Sequence, residues 1–132
     1  MSAMNISVLE KTYAIYSFSS ESDLPEWIYS SDFYSITKTE DEVSLVAVQS
    51  GFIPEGLMRN SDWRILKVEG PLEFSLVGII AEITSILANE LISVFTISTY
   101  NTDYILVKQK DLDRSIAALN DKGYQFPEKK EN

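Results

Sequence analysis

The stretch WRILKVEGPLEFSLVGIIAEITSILANEL, residues 63–91, decides the fold. Its start, Trp63 to Glu69, is rich in large apolar side chains and predicts a strand, which Gly70-Pro71 ends. Apolar residues then recur three and four positions apart, a period that predicts a helix with one buried face. The residues of that face are Leu76, Ile80, Ile83, Leu87 and Leu91. The stretch is therefore a strand followed by an amphipathic helix.

A hairpin and a second helix follow. Ser93 to Tyr100 and Tyr104 to Gln109 predict two strands, joined by a turn whose short polar side chains suit it. A helix then begins near Asp111 and stops at Lys122-Gly123, with one apolar stripe toward the core. That stripe is Leu112, Ile116 and Leu119. Residues 124–126 predict a terminal strand, and the charged residues 127–132 a frayed tail.

The first half of the chain has the same order of elements in weaker form. Residues 13–18 alternate as a strand does, and Pro25 after Asp23 predicts the start of a short helix. Phe33 to Thr39 and Glu42 to Val48 predict a hairpin. Glycines and a proline then interrupt the pattern, which indicates a connector that ends near Asp62.

The order β-α-β-β followed by β-α-β-β-α-β predicts an α+β fold of two split βαβ units, with antiparallel sheets and helices on one face. We expect an N-terminal half at residues 1–62, a C-terminal domain at residues 63–126 and a tail at residues 127–132.

The composition excludes several classes of function. The chain has 132 residues, no cysteine and no histidine, so it lacks thiolate metal sites, disulfides and the usual near-neutral proton shuttle. Its formal net charge of −9 disfavours nucleic acid as a partner. The apolar runs are too short to span a bilayer, and absent cysteine suits the cytoplasm. We expect a cytoplasmic protein that is not an enzyme and has no cofactor, metal site or membrane partner.

Two acidic groups offer weak alternatives. Glu69 and Glu73 straddle a turn and could form an acid/base pair, although spacing alone favours two structural or solvated carboxylates. Glu40-Asp41-Glu42 could attract a hard cation, but a charged hairpin turn is the simpler interpretation because the loop lacks the EF-hand spacing. The five glycines form neither phosphate-binding fingerprint.

The loop from Glu69 to Gly78 is the better candidate for a binding site. A helix N-terminus presents unpaired backbone N–H groups that suit a carboxylate, and a glycine lets a ligand approach the main chain. The hairpin turn could lie near this loop and offer Asp103 to an ammonium group. The alternative is that Gly78 relieves packing and Asp103 only caps a turn.

Three segments resemble the ACT-domain family: VEGPL at residues 68–72, FSLVGI at residues 74–79 and ISTYNTDYILV at residues 97–107. They are similar to a tandem branch of that family, which includes small bacterial proteins and animal cytosolic arginine sensors. The resemblance covers residues 63–124 well and residues 13–49 loosely. It implies a ferredoxin-like fold, two tandem ACT units and regulatory binding of amino acids at the interface between ACT units.

The resemblance also implies which residues bind. The helix-start loop contributes Ser75, Leu76, Val77, Gly78 and Ile79, and the facing strand and turn contribute Thr99, Tyr100, Asn101, Thr102 and Asp103. The arginine sensors carry an acidic residue where this chain has Leu76, so we expect an uncharged amino acid or no ligand. We further expect a homodimer or higher homo-oligomer and a separate target protein. The competing hypothesis is an interaction module of the same fold that binds no metabolite.

Overall fold

The computed structural model describes residues 5–53, 58–69 and 78–127. Two short 3-10 helices, Glu21–Asp23 and Glu26–Ser30, follow the second strand, and a third, Gln109–Asp111, precedes the last helix. The strands are β1 (Ile6–Val8), β2 (Tyr13–Phe18), β3 (Ser35–Lys38), β4 (Val43–Val48), β5 (Met58–Val68), β6 (Val94–Ser98) and β7 (Asp103–Lys108). The helices are α1 (Ile79–Asn89) and α2 (Leu112–Asp121).

These elements form two compact units. The N-terminal unit is Lys11–Trp63, and the C-terminal unit combines Met1–Glu10 with Arg64–Asn132. The division lies within β5, one residue beyond the boundary expected from the sequence. The first ten residues group with the C-terminal unit rather than with the half that follows them in the chain.

The N-terminal unit orders its strands β3-β4-β2-β5. The neighbouring pairs are antiparallel, with Tyr16 opposite Leu45 on one side and opposite Arg59 on the other. Inward side chains from β2 and β4 pack with Ile28 of a 3-10 helix, so the predicted short helix has one buried anchor. Pairing with β2 makes residues 58–60 part of β5, so the prediction of a connector through Asp62 was wrong there. Asp62 itself has a left-handed φ of 69°, where the register of the pairing shifts.

The C-terminal unit places β5 between β1 and β7, with β6 beyond β7. Ile83 and Leu87 of α1 and Leu119 of α2 are fully buried with Leu66, Ile105 and Val107 of the strands. Leu112 packs against this core as well, whereas Ile80 and Ile116 are only half-buried and Leu76 lies outside the described residues, so the predicted faces meet the sheet in part. Leu91 adopts a left-handed φ of 59° just after α1 and is 92% exposed, while Ile92 takes the buried position.

The strand beside β5 comes from the start of the chain. Ile6 pairs with Val68 and Val8 with Leu66 in antiparallel register, and Ile6 is fully buried. The expected C-terminal strand at Tyr124–Phe126 is reduced to a parallel bridge between Gln125 and Asn5, in which the Ile6 amide donates to the Gln125 carbonyl at 2.7 Å. The alternation of Ile6, Ser7 and Val8 was the available sequence signal for β1.

Strand–helix–hairpin–helix order and antiparallel pairing confirm the α+β, ferredoxin-like prediction. Within the described ranges, no helix combines the length and apolar character needed to cross a membrane.

Candidate ligand-binding site

Gly78 begins the helix of the predicted site. Its φ of 84° lies in the left-handed region that favours glycine, and its carbonyl accepts the Glu82 amide at 2.8 Å, which closes the first turn of α1. A Cβ at this position would meet no described atom within 4 Å. The first amide N–H groups of an α-helix have no acceptor within the helix, so this exposed start can donate to an anion.

Ile79 follows Gly78 and packs against the buried core of the C-terminal unit. Ile83, one turn further along, is fully buried in the same core. The apolar face of α1 therefore holds the helix start on the sheet, although Gly78 itself is exposed. Ser75, Leu76 and Val77, the other predicted residues of this loop, lie outside the described residues.

The hairpin turn is closed by Thr99 and Thr102. The Thr99 amide and hydroxyl donate to the Thr102 carbonyl at 2.8 and 3.1 Å, and the Thr102 amide donates to the Thr99 hydroxyl at 3.3 Å. Thr102 is 5% exposed, and its hydroxyl donates to the Val68 carbonyl. The turn therefore lies beside the end of β5, where the predicted binding loop begins.

Asp103 begins β7 and accepts a hydrogen bond from the Ser98 hydroxyl at 2.6 Å. The carboxylate is held at the base of the turn and is only partly buried. Tyr100 and Asn101 are exposed at its tip, and Tyr100 is 82% exposed. The turn thus combines one fixed negative charge with an exposed aromatic ring.

Glu69 is engaged by its neighbours. Its carboxylate accepts from the Ser7 hydroxyl and lies 3.8 Å from the Lys67 ammonium, and its amide donates to the Asn5 carbonyl at 2.9 Å. These contacts connect the end of β5 to β1, which favours a structural role for Glu69 over a role in acid/base catalysis. Glu73, the other member of that possible acid/base pair, lies outside the described residues.

A contact between Tyr124 and Glu82 escaped the sequence analysis. The Tyr124 hydroxyl donates to the Glu82 carboxylate, 42 residues away and in the first turn of α1. Burial of the phenol, this hydrogen bond and the negative charge of Glu82 raise the pKa of Tyr124, in that order of importance. No periodicity or motif links these positions, because the contact depends on the tertiary fold.

The acidic residues at 40–42 form a hairpin turn. The Thr39 hydroxyl accepts from the amides of Asp41 and Glu42 at 3.2 Å, and the Glu42 carboxylate accepts from Ser17 at 3.2 Å. Among the residues that can be described, no three acidic side chains converge as metal ligands would.

The N-terminal unit also contains an open groove of about 230 Å³ that no motif predicted. Ile15 and Met58 give it apolar walls, and Ser17, Ser44 and Asn60 give it polar ones. These side chains belong to β2, β4 and β5, where opposed residues of neighbouring strands share one sheet face.

Comparison with known proteins finds one family model for each half of the chain. The model of the ACT domain matches residues 59–121, and a second family model, of an N-terminal domain, matches residues 11–55. Residues 59–121 therefore match the ACT-domain family, as the resemblance in the sequence implied.

The chain is similar to several curated proteins. It is 33% identical over 94 residues to the human cytosolic arginine sensor for mTORC1 subunit 1, and the match covers 66% of this chain and 29% of that protein. It is 34% identical over 92 residues to the human putative protein CASTOR3P, covering 61% of this chain and 56% of that protein. The chain thus matches less than a third of the sensor and about half of CASTOR3P.

Solved structures support the fold over the whole chain. A crystal structure of an Agrobacterium tumefaciens protein superposes with a TM-score of 0.87 at 28% identity, covering 100% of this chain and 98% of that one. Aspartate kinase from Synechocystis superposes with a TM-score of 0.67 at 16% identity, covering 98% of this chain and 28% of that one. The kinase likeness concerns the fold alone.

Proposed function

We propose that this protein is a non-enzymatic regulatory module that binds a free, uncharged amino acid at an interface between ACT units. The observation that carries the proposal is the bond from Thr102 to the Val68 carbonyl, because it sets the hairpin turn beside the strand end that leads into the binding loop. Both segments carry the family resemblance. The name of the curated relatives, cytosolic arginine sensors, supports amino-acid sensing as the class of function.

The proposed binding mode uses opposite charges at two places. The first amides of α1, from Gly78 and Ile79 onward, donate to the carboxylate of the amino acid. Asp103, held by Ser98, accepts from its ammonium group in a charge-assisted hydrogen bond. Ser75, Leu76 and Val77 from the loop, and Thr99, Tyr100 and Asn101 from the turn, complete the proposed site.

The side chain of the ligand is proposed to be uncharged. A buried guanidinium requires an acidic partner, and this chain has Leu76 where the resemblance expects that partner. An aliphatic or small polar side chain does not need one.

Regulation is proposed to act through assembly. A ligand that binds between ACT units favours the arrangement that contains the complete site, which is a shift of population between quaternary states. The module would act in the cytoplasm as a homodimer or higher homo-oligomer on a separate target protein. Residues 1–62, apart from β1, which belongs to the core of the C-terminal unit, are proposed as a second, N-terminal ACT-like half of the same module.

A thermal-shift panel of the twenty free amino acids at millimolar concentration tests the proposal. We expect at least one uncharged amino acid to raise the melting temperature, because a ligand that binds the native state stabilises it. Asp103→Ala should weaken its binding by about tenfold or more, through loss of a charge-assisted hydrogen bond. Asp121→Ala, an exposed carboxylate of α2, is the matched control and should bind as the wild type does.

Two results would contradict the proposal. If no amino acid in the panel stabilises the wild-type protein, the proposal of an amino-acid ligand is wrong. If Asp103→Ala binds the amino acid as tightly as the wild type does, the proposed contact of Asp103 with the ammonium group is wrong, but the ligand itself is not contradicted.

The second candidate is an interaction module without a metabolite. Leu91 and Tyr100 favour it, because these large apolar side chains of the C-terminal unit are 92% and 82% exposed. In that case no amino acid of the panel raises the melting temperature. Leu91→Ser or Tyr100→Ser should then reduce self-association in analytical ultracentrifugation. Unchanged sedimentation of both variants would remove these side chains from the self-association interface.

A further inference from the structure

The end of α2 directs a tyrosine toward the start of α1. Gly123 follows α2 with a left-handed φ of 99°, and the chain turns so that the Tyr124 amide donates to the Leu119 carbonyl at 3.1 Å. Tyr124 therefore enters the core of the C-terminal unit and is only 2% exposed. Its hydroxyl donates to the carboxylate of Glu82.

Glu82 connects this tyrosine to the first turn of α1, where the proposed ligand binds. Its amide donates to the Gly78 carbonyl at 2.8 Å, which is the bond that closes the first turn of α1. Its carboxylate accepts from Tyr124. One residue thus connects a buried phenol to the helix start whose amides are proposed to bind the ligand.

The charge of Glu82 gives this connection a consequence for binding. A carboxylate in the first turn of a helix is attracted to the positive end of the helix dipole. If the Glu82 side chain were released, it would compete with a ligand carboxylate for the same electropositive region. The hydrogen bond from Tyr124 holds the carboxylate against the phenol hydroxyl instead, although Glu82 as a residue is exposed.

We infer that Tyr124 is a positioning residue of the amino-acid site, which acts through Glu82 to hold the first turn of α1 in its binding geometry. The ligand in this inference rests on the proposed function, whereas the geometry rests on the two hydrogen bonds of Glu82.

The first test repeats the panel of twenty amino acids on Tyr124→Phe, at a temperature where each variant is fully folded. The amino acid that stabilises the wild type should bind this variant about two- to thirty-fold more weakly, the range of couplings carried through packed networks. Tyr16→Phe is the matched control. It removes a phenol hydroxyl that is equally buried but lies in the N-terminal unit, without a hydrogen-bond partner in the part of the chain that is described. Its affinity should equal that of the wild type.

The second test asks whether Tyr124 acts through Glu82. Glu82→Ala should weaken binding, and adding Tyr124→Phe to it should weaken binding no further. Glu82→Gln should bind about as well as the wild type, because an amide oxygen still accepts the hydrogen bond from Tyr124. Additive losses in the double variant would overturn the path through Glu82.

The third test needs no ligand and separates this inference from the proposed function. Amide hydrogen exchange at Glu82 and Ile83 should be faster in Tyr124→Phe than in the wild type, while exchange in β7 is unchanged. Unchanged exchange at both amides overturns the positioning role, whatever the panel shows. A wild-type protein that binds no amino acid overturns the proposed function and, with it, the ligand half of this inference.

Discussion

The hydroxyl of Thr102 donates to the main-chain carbonyl of Val68, 34 residues earlier in the chain. The donor closes the β6–β7 turn, and the acceptor is the last residue of β5. Because the contact is buried, it fixes the turn against the strand end. Only the rotamer freedom of one side chain is lost in return. The relative position of the two proposed ligand-binding segments depends in part on this bond.

Thr102→Val should therefore destabilise the C-terminal unit. Valine has nearly the shape of threonine but leaves the buried Val68 carbonyl without that donor, which costs about 1–3 kcal/mol. Urea unfolding measures the loss. Thr96→Val on the exposed side of the same hairpin is the control and should change the free energy of unfolding by less than about 0.5 kcal/mol. Equal losses of unfolding free energy in the two variants would show that the Thr102 hydrogen bond does not contribute measurably to stability.

Gly78→Ala should cost about 1–2 kcal/mol in the free energy of unfolding, because an L-residue is strained at a φ of 84°. The added Cβ meets no described atom within 4 Å, so the cost is conformational rather than steric. Gly78→Asn should cost less, since asparagine tolerates the left-handed region better. Urea denaturation of both variants checks this order, and an alanine variant as stable as the wild type contradicts it.

Ile6→Ala should destabilise the protein by about 2–5 kcal/mol, because a fully buried side chain of the C-terminal core is replaced by a cavity. Ile6→Val, which removes one methylene, should cost only about 0.5–1.5 kcal/mol. Chemical denaturation provides both values. Similar stabilities of the alanine variant and the wild type would mean that β1 is not part of the stable core.

Alkaline pH should weaken folding partly through Tyr124. The folded-state pKa of this phenol is raised, so above about pH 10 the unfolded chain releases the proton while the folded chain retains it. Deprotonation then stabilises the unfolded state, and the contribution that is complete below that pH is lost progressively as pH rises. Tyr124→Phe should flatten the fall of the unfolding free energy with pH. Parallel curves for variant and wild type would contradict this assignment.

Periodicity predicted the elements whose partners are local or strongly patterned. The buried face of α1 at Ile83 and Leu87 and the two hairpins are confirmed. Leu91 was misplaced, because the helix ends before it and the chain reverses: the Ile92 amide donates back to the Leu87 carbonyl at 3.1 Å. A period continued past a helix end assigns the wrong residue to the core.

The candidate site was less accessible to sequence reasoning. A glycine before a helix and a polar turn before Asp103 indicated two segments that could lie near each other, and the family resemblance added the other residues of each segment. The bonds from Thr102 to Val68 and from Tyr124 to Glu82 connect residues far apart in sequence. Such contacts arise only after the strands have paired, so no local pattern encodes them.

The placement of β1 beside β5 has a consequence for synthesis on the ribosome. Residues 11–63 form one contiguous unit, so its core can close as soon as these residues have emerged. The other core requires Ile6 from the beginning of the chain together with Leu119 and Tyr124, which are translated much later. We expect β1 to find its partner strand once residues 66–68 have emerged, but the side chain of Ile6 to stay without the rest of its core until α2 and Tyr124 follow.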